Sequence, residues 1–167
     1  MRHLTIIATC LVLLGCSTSA PVGQGPLVIH TPAGWLLEHD TPGGLDFYHL
    51  WTSSGKDGLL MFSKWPPPSR PEDIPELVRK VADGFVQQAK KSAEFTLVDE
   101  KYEFDQFAGD HCRGSYATFR VKSADTKAVQ AMFMMSVGGE VWNGQFTGTA
   151  EQWKQAVRLL TTIKTKG

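Results

Sequence analysis

The chain has 167 residues, with 17 Lys+Arg balancing 17 Asp+Glu for a formal net charge of zero. A neutral surface of mixed charges gives no electrostatic reason to bind nucleic acid or an anionic membrane, and no like-charge run or basic amphipathic stretch restores either idea. The length suits one domain with a core of its own.

Arg2 precedes an apolar run from Leu4 to Leu14, interrupted at Thr5, Thr9 and Cys10, which ends in Leu13-Leu14-Gly15-Cys16. The run is far shorter than the about 20 apolar residues of a membrane span. Small Gly15 sits where a peptidase closes on the backbone. These residues resemble the lipobox of bacterial lipoproteins. The resemblance implies a signal peptide over 1–15 and a diacylglycerol thioether on Cys16, which becomes the mature N-terminus. Each buried CH₂ of an acyl chain contributes about 0.8 kcal/mol, so two or three chains hold the protein on a membrane. By analogy with enteric lipoproteins, Ser17 in place of Asp points to the periplasmic side of the outer membrane. Cleavage removes Arg2 and no acid, so the mature chain stays near neutral. Cys10 leaves with the signal and Cys16 is acylated. Cys112 is then the lone thiol, and no disulfide forms within the mature chain although the compartment permits one.

Residues 16–26, rich in Ser, Thr, Gly and Pro, read as a flexible tether, and 27–167 as a single domain. Leu27-Val28-Ile29 is a short strand that ends at Thr31-Pro32 and turns through Ala33-Gly34-Trp35; Pro42-Gly43-Gly44 marks a further turn. From Leu45 to Trp51 the pattern has period two, with Leu45, Phe47, His49 and Trp51 on one face and Asp46 and Tyr48 on the other, which argues a strand. Lys56-Asp57-Gly58 turns into a second strand, Leu59 to Trp65, stopped by Pro66-Pro67-Pro68 because proline cannot join a ladder.

The period then changes. Ile74, Leu77, Val78, Val81, Phe85 and Ala89 form one stripe of an amphipathic helix over about Glu72–Lys91. Ser69 and Glu72 stand at capping-box spacing, Pro71 and Pro75 fit a first turn, and Lys90-Lys91 suit the C-terminal end. Strands follow over Phe95–Phe104, Arg113–Val121, Ala128–Val137 and Val141–Thr147. Gly109, Asp125-Thr126 and the hairpin pair Gly138-Gly139 separate them, and such short turns force antiparallel pairing. Thr149 and Gln152 cap a closing helix with its stripe at Trp153, Ala156, Val157, Leu160 and Ile163. Both stripes must be buried on the sheet. The fold class is therefore α+β, an antiparallel β-sheet with helices packed on both faces.

Pro32-Ala33-Gly34-Trp35 after the first strand, the long helix before the meander, and Trp142-Asn143-Gly144-Gln145-Phe146-Thr147-Gly148-Thr149 leading into the last helix are similar to one superfamily. It joins the photosystem subunit PsbP, a Ran-binding nuclear import factor and the envelope lipoprotein DcrB. The resemblance implies an α/β/α sandwich and a function by binding; it transfers no catalytic residue, because the matching positions are turn and packing residues.

Asp110-His111-Cys112 offers the residue types of a nucleophilic triad. Extended backbone, however, points His111 away from Cys112, and Asp110 on the same side would disfavour the thiolate. Glu38-His39-Asp40 with Asp46 and His49 offers oxygen and nitrogen ligands without a recognised metal spacing. Met132 and Met134 on one strand face, Met135 on the other and Met61 elsewhere could serve Cu(I), yet methionine also fills cores, and Val129, Ala131, Phe133, Met135 and Val137 read as a core row. Gly114-Ser115 lacks the strand-to-helix context of a nucleophile elbow. Trp35, Trp51, Trp142 and Trp153 sit at packing positions. Trp65 and Arg70 flank the rigid proline run and are the candidate partner-binding residues, since a stiff loop with an aromatic anchors an interface at low ordering cost. The loops Glu38–Gly44 and Phe107–Asp110 come next. The sequence thus points to a lipid-anchored envelope protein, without catalytic residues, metal or cofactor, whose domain binds a protein or small-ligand partner. The alternatives are a metal- or copper-handling envelope protein and an enzyme around Asp110–Cys112.

Overall fold

Long alternating strands joined by tight turns dominate the chain after residue 100, and they set the architecture. The computed structural model describes residues 25–52, 58–66, 70–91, 96–99, 101–123 and 126–167. The signal peptide, Cys16, the tether up to residue 24, Lys56-Asp57, Pro67-Pro68-Ser69, Phe95 and Asp125 lie outside them. The elements are β1 (Leu27–Val28), β2 (Trp35–Asp40), β3 (Phe47–Thr52), β4 (Leu59–Lys64), α1 (Ile74–Ala89), β5 (Thr96–Leu97), β6 (Glu103–Ala108), β7 (Cys112–Ser123), β8 (Thr126–Val137), β9 (Glu140–Gly148), α2 (Ala150–Leu160) and β10 (Lys164–Thr165). An eight-stranded antiparallel sheet runs β2-β3-β4-β9-β8-β7-β5, with β6 also on β7. A separate pair, β1 with β10, ties the start of the domain to its end.

The hairpin between β8 and β9 turns on Gly138 and Gly139, both at positive φ (60° and 83°), a conformation that L side chains resist. On β8, the odd residues Ala131, Phe133, Met135 and Val137 join Trp153, Ala156, Leu159 and Leu160 of α2 in one core. Met134 joins Ile74, Val78, Ala82 and Val86 of α1 in a second core on the opposite face. The sheet is thus the middle layer, as period-two strands apolar on both faces require. At α2 the expected capping box is present: the Thr149 hydroxyl accepts from the Gln152 backbone N–H (3.2 Å) and the Gln152 side chain accepts from the Thr149 N–H (2.8 Å).

Several expectations are corrected. The segment read as a turn and a loop around Trp35–Asp40 is strand β2, paired along its whole length with β3; the turn itself is confined to Pro32–Trp35, where the Pro32 carbonyl accepts from the Trp35 N–H. The strand expected over Phe95–Phe104 is split. Leu97 pairs with Val121 and Glu103 with Thr118, so six steps of the edge chain correspond to three of β7 and the ladder is interrupted between β5 and β6. Gly25 and Pro26, assigned to the tether, already belong to the domain: a Cβ on Gly25 would lie 2.1 Å from the Tyr48 hydroxyl, and the Pro26 carbonyl accepts from the Lys166 N–H. The stripe of α1 is rotated. Ile74, Val78, Ala82, Val86 and Ala89 are buried, Leu77 and Phe85 are half-buried, and Val81 is 41% exposed. On β3 the fully buried face is that of Tyr48 and Leu50, while Phe47, His49 and Trp51 are half-buried and Leu45 is exposed outside the strand.

The rotation of α1 makes a contrast. Val78→Asp and Leu160→Asp should each destabilise by about 3–5 kcal/mol, since each buries an unpaired charge, whereas Val81→Asp should stay within about 0.5 kcal/mol as a surface change. Chemical denaturation of the three variants checks this.

Candidate functional site

Cys112 opens β7 beneath the C-terminal end of α2. Its thiol is buried and donates to the Leu160 carbonyl at 2.9 Å. Burial pushes the thiol pKa up, with the Gly109 and Ile163 backbone amides opposing part of that rise. Asp110 and His111 lie exposed in the preceding turn. Gly109 brings that turn against α2 so closely that a Cβ would meet the Thr161 carbonyl oxygen at 1.8 Å. This cluster clamps a hairpin to a helix; it presents a protonated sulfur to a carbonyl, the opposite of an activated nucleophile. Ser115 is likewise buried inside β7, away from any strand-to-helix turn.

The possible nitrogen and oxygen ligands are divided by the pleat. His39 pairs across β3 with Tyr48 on the α2 side, where its Nε2 lies 2.9 Å from Asp46 Oδ1 and its ring 4.6 Å from that of Tyr48. Glu38 pairs with His49 on the α1 side. Side chains on opposite faces of one sheet cannot converge on one ion, and among the described residues no group of three or more His, Cys, Asp or Glu converges.

The α1 side holds the more informative surface. Helix α1 packs on β7, β8 and β5. Beyond it, β9, β4, β3 and β2 carry in cross-strand rows Leu36, Trp51 and Leu59, then Glu38, His49, Met61 and Gln145, which continues to Met132 on β8, then Asp40, Phe47, Ser63 and Asn143. No described element lies over these rows. Leu36 is 48% and Leu59 37% exposed. A groove of about 350 Å³ runs between this half-face and α1, walled by Phe47, Met61, Trp65, Val78, Val81 and Met132. Three of the singled-out methionines therefore meet: Met61 and Met132 half-buried in the groove, and Met134 buried beneath α1, while Met135 is on the other face.

Trp65 is the wall of this groove rather than a free loop residue. It is half-buried against the α1 core, and its backbone N–H donates to the Val141 carbonyl at 2.8 Å. Arg70 is exposed just before the short 3-10 turn Pro71–Asp73 that leads into α1, and it does not line the groove. The loop proposed around Phe107–Asp110 holds a buried Phe107. Leu36, Leu59 and Val81 were not foreseen as site residues. The signal that marks them is the apolar character of both faces of β3 and β4, which asks for two covering layers.

A second, larger groove of about 770 Å³ lies beside α2, with Tyr116, Thr118, Trp153 and Lys154 among its walls. Tyr116 stacks edge-on against Trp153 at 5.1 Å and donates to Asp105 at 3.2 Å; burial and then the Asp105 charge raise its pKa.

The Cys112 clamp predicts slow labelling by a thiol reagent at neutral pH, on the timescale of unfolding. Cys112→Ser should cost about 1–2 kcal/mol. A raised folded pKa means that the native state keeps its proton where the unfolded chain has lost it. The contribution is complete below the ordinary thiol value and is lost as pH rises through the folded one. Denaturation across that alkaline range should show a steeper decline in stability for the wild type than for Cys112→Ser, in which only the raised tyrosines, such as Tyr116, still contribute.

The fold is similar to the solution structure of cyanobacterial PsbP (CyanoP) from Synechocystis sp. PCC 6803, with a TM-score of 0.50 and 11% sequence identity over 90% of this chain and 99% of that one. No family model and no curated protein matches the sequence. At this identity the likeness establishes the fold: the chain has a PsbP-like antiparallel sheet with a helix on each face.

Proposed function

We propose that this is a lipid-anchored protein of the bacterial cell envelope whose domain binds a partner without catalysis, through the half of the α1-side face that α1 leaves open. The observation that carries the reading is that uncovered surface, on which Leu36, Phe47, Trp51, Leu59 and Met61 lie side by side with Val81 at its border. A contiguous apolar patch of this kind marks an interaction surface. The side chains with reactive chemistry are occupied in packing, Cys112 with Leu160 and His39 with Asp46. The anchor rests on Leu13-Leu14-Gly15-Cys16, and the outer membrane on Ser17. Among the described residues no helix is long and apolar enough to cross a membrane. In this reading Trp65 shapes the binding groove and Arg70 stands exposed before the turn that starts α1.

Two experiments test it. Cys16→Ser should abolish both incorporation of a clickable fatty acid and sedimentation with membranes, while the melting temperature is unchanged; label retained by the variant contradicts the anchor. A photo-crosslinking amino acid at Leu59 should yield a discrete adduct in intact cells, and the same group at Gln87, on the solvent side of α1, should not. Equal adducts from both positions, or none from Leu59, contradict a specific binding face.

A further inference from the structure

We propose that the occupant of the open half-face is an amphipathic α-helix with a basic flank, lying beside α1; this rests on the binding face proposed above and names its partner class. Four strands about 4.8 Å apart leave about 15–19 Å of sheet uncovered, and a helix is about 10–12 Å across, so one helix fills the gap next to α1. The flank of α1 that borders the gap is prepared for one. Val78 and Val81 line the groove, and helical spacing from Val81 puts Leu77, Gly84 and Gln88 on the same flank. That flank has no charge. The opposite flank carries Arg79, 3.6 Å above the Phe104 ring, and Asp83, which accepts from the Tyr102 hydroxyl.

Gly84 is the independent observation. Mid-helix glycine costs about 1 kcal/mol relative to alanine, and here a Cβ would meet nothing within 4 Å. No contact within the described domain requires it, but the absence of a side chain lets a second helix approach α1 closely.

Charge selects the kind of helix. Among the described residues the acids on the open face are Glu38 and Asp40, both exposed on the outermost strand β2. Their separation of about 6.6 Å along the strand matches the about 6 Å rise between helix positions four apart. Lys or Arg at i and i+4, on the flank away from α1, would meet both. A second copy offers no such helix. Its α1 presents exposed Glu76, Lys80, Asp83 and Gln87 outward, which do not tolerate burial on Trp51 and Met61, and the apolar stripe of its α2 is already buried on its own sheet.

The test uses the full-length chain carrying Cys16→Ser, in lipid-free buffer, with methyl-¹³C methionine as reporter. The probes are two synthetic helices of about 18 residues with the same leucine face, one flanked by lysine and one by glutamate. The Lys-flanked helix should shift the Met61 and Met132 methyl signals saturably and leave Met135 unmoved, and the Glu-flanked helix should bind at least roughly tenfold more weakly. Glu38→Lys with Asp40→Lys should invert that preference. Gly84→Leu should weaken binding by a similar factor while leaving the melting temperature unchanged or higher, since leucine is the better helix former. Equal affinity for the two helices, or no shift at Met61, overturns the proposal. So does a Met61 shift that follows protein concentration without peptide, which would mean a second copy, or one produced only by phospholipid micelles. If peptide binding fails while the Leu59 crosslink forms, the binding face stands and only the partner class falls.

Discussion

A helix covers two or three strands, and this sheet is seven strands wide, with β5 and β6 sharing one edge of β7. Neither face can be closed by a single helix, and the two faces meet that constraint differently. On the α2 side the remaining width is filled by the chain ends. β1 and β10 pair there, Leu27 and Ile163 are buried, and the Leu27 N–H donates to the Tyr48 hydroxyl at 3.2 Å. Tyr48, Phe62, Trp142, Phe133 and Trp153 then make a continuous aromatic layer. On the α1 side no described segment performs that service, and the row of Leu36, Trp51 and Leu59, with Met61 and Phe47 beside it, remains open.

The closed side also explains why the most reactive residue is quiet. The hairpin between β6 and β7 must approach the end of α2 closely for Ile163 and β10 to reach β1. Gly109 permits the approach, and the Cys112 thiol is a second donor to the Leu160 carbonyl at the end of α2, which also accepts from the Ile163 backbone N–H at 3.3 Å. A cysteine serves here because it combines a small apolar body with a weak donor.

Much of the architecture was legible because β7, β8 and β9 alternate over long stretches and Gly138-Gly139 fixes their turn. The helix caps at Thr149–Gln152 were equally plain. β2 was not, because Trp-Leu-Leu-Glu-His-Asp has no clean alternation: Leu36 is apolar on the open face and His39 is polar on the covered one. The facing of α1 was misjudged for a related reason. Hydrophobicity ranks Val81 above Ala82, but close approach of helix to sheet selects Ala82 for the contact and leaves Val81 at the gap. The candidate site was legible only at its wall. Trp65 stood out by its proline neighbours, whereas Leu36, Leu59 and Met61 are ordinary apolar strand residues whose exposure depends on how far α1 reaches across the sheet.

The account depends on that reach. Hydroxyl-radical footprinting of the folded protein measures it residue by residue. Leu36, Trp51, Leu59 and Met61 should be oxidised readily, while Trp142 and Met135, 0% exposed on the closed side, stay protected. Protection of Trp51 and Met61 equal to that of Trp142 would mean that the half-face is already covered within the chain, and the binding surface proposed here would not exist.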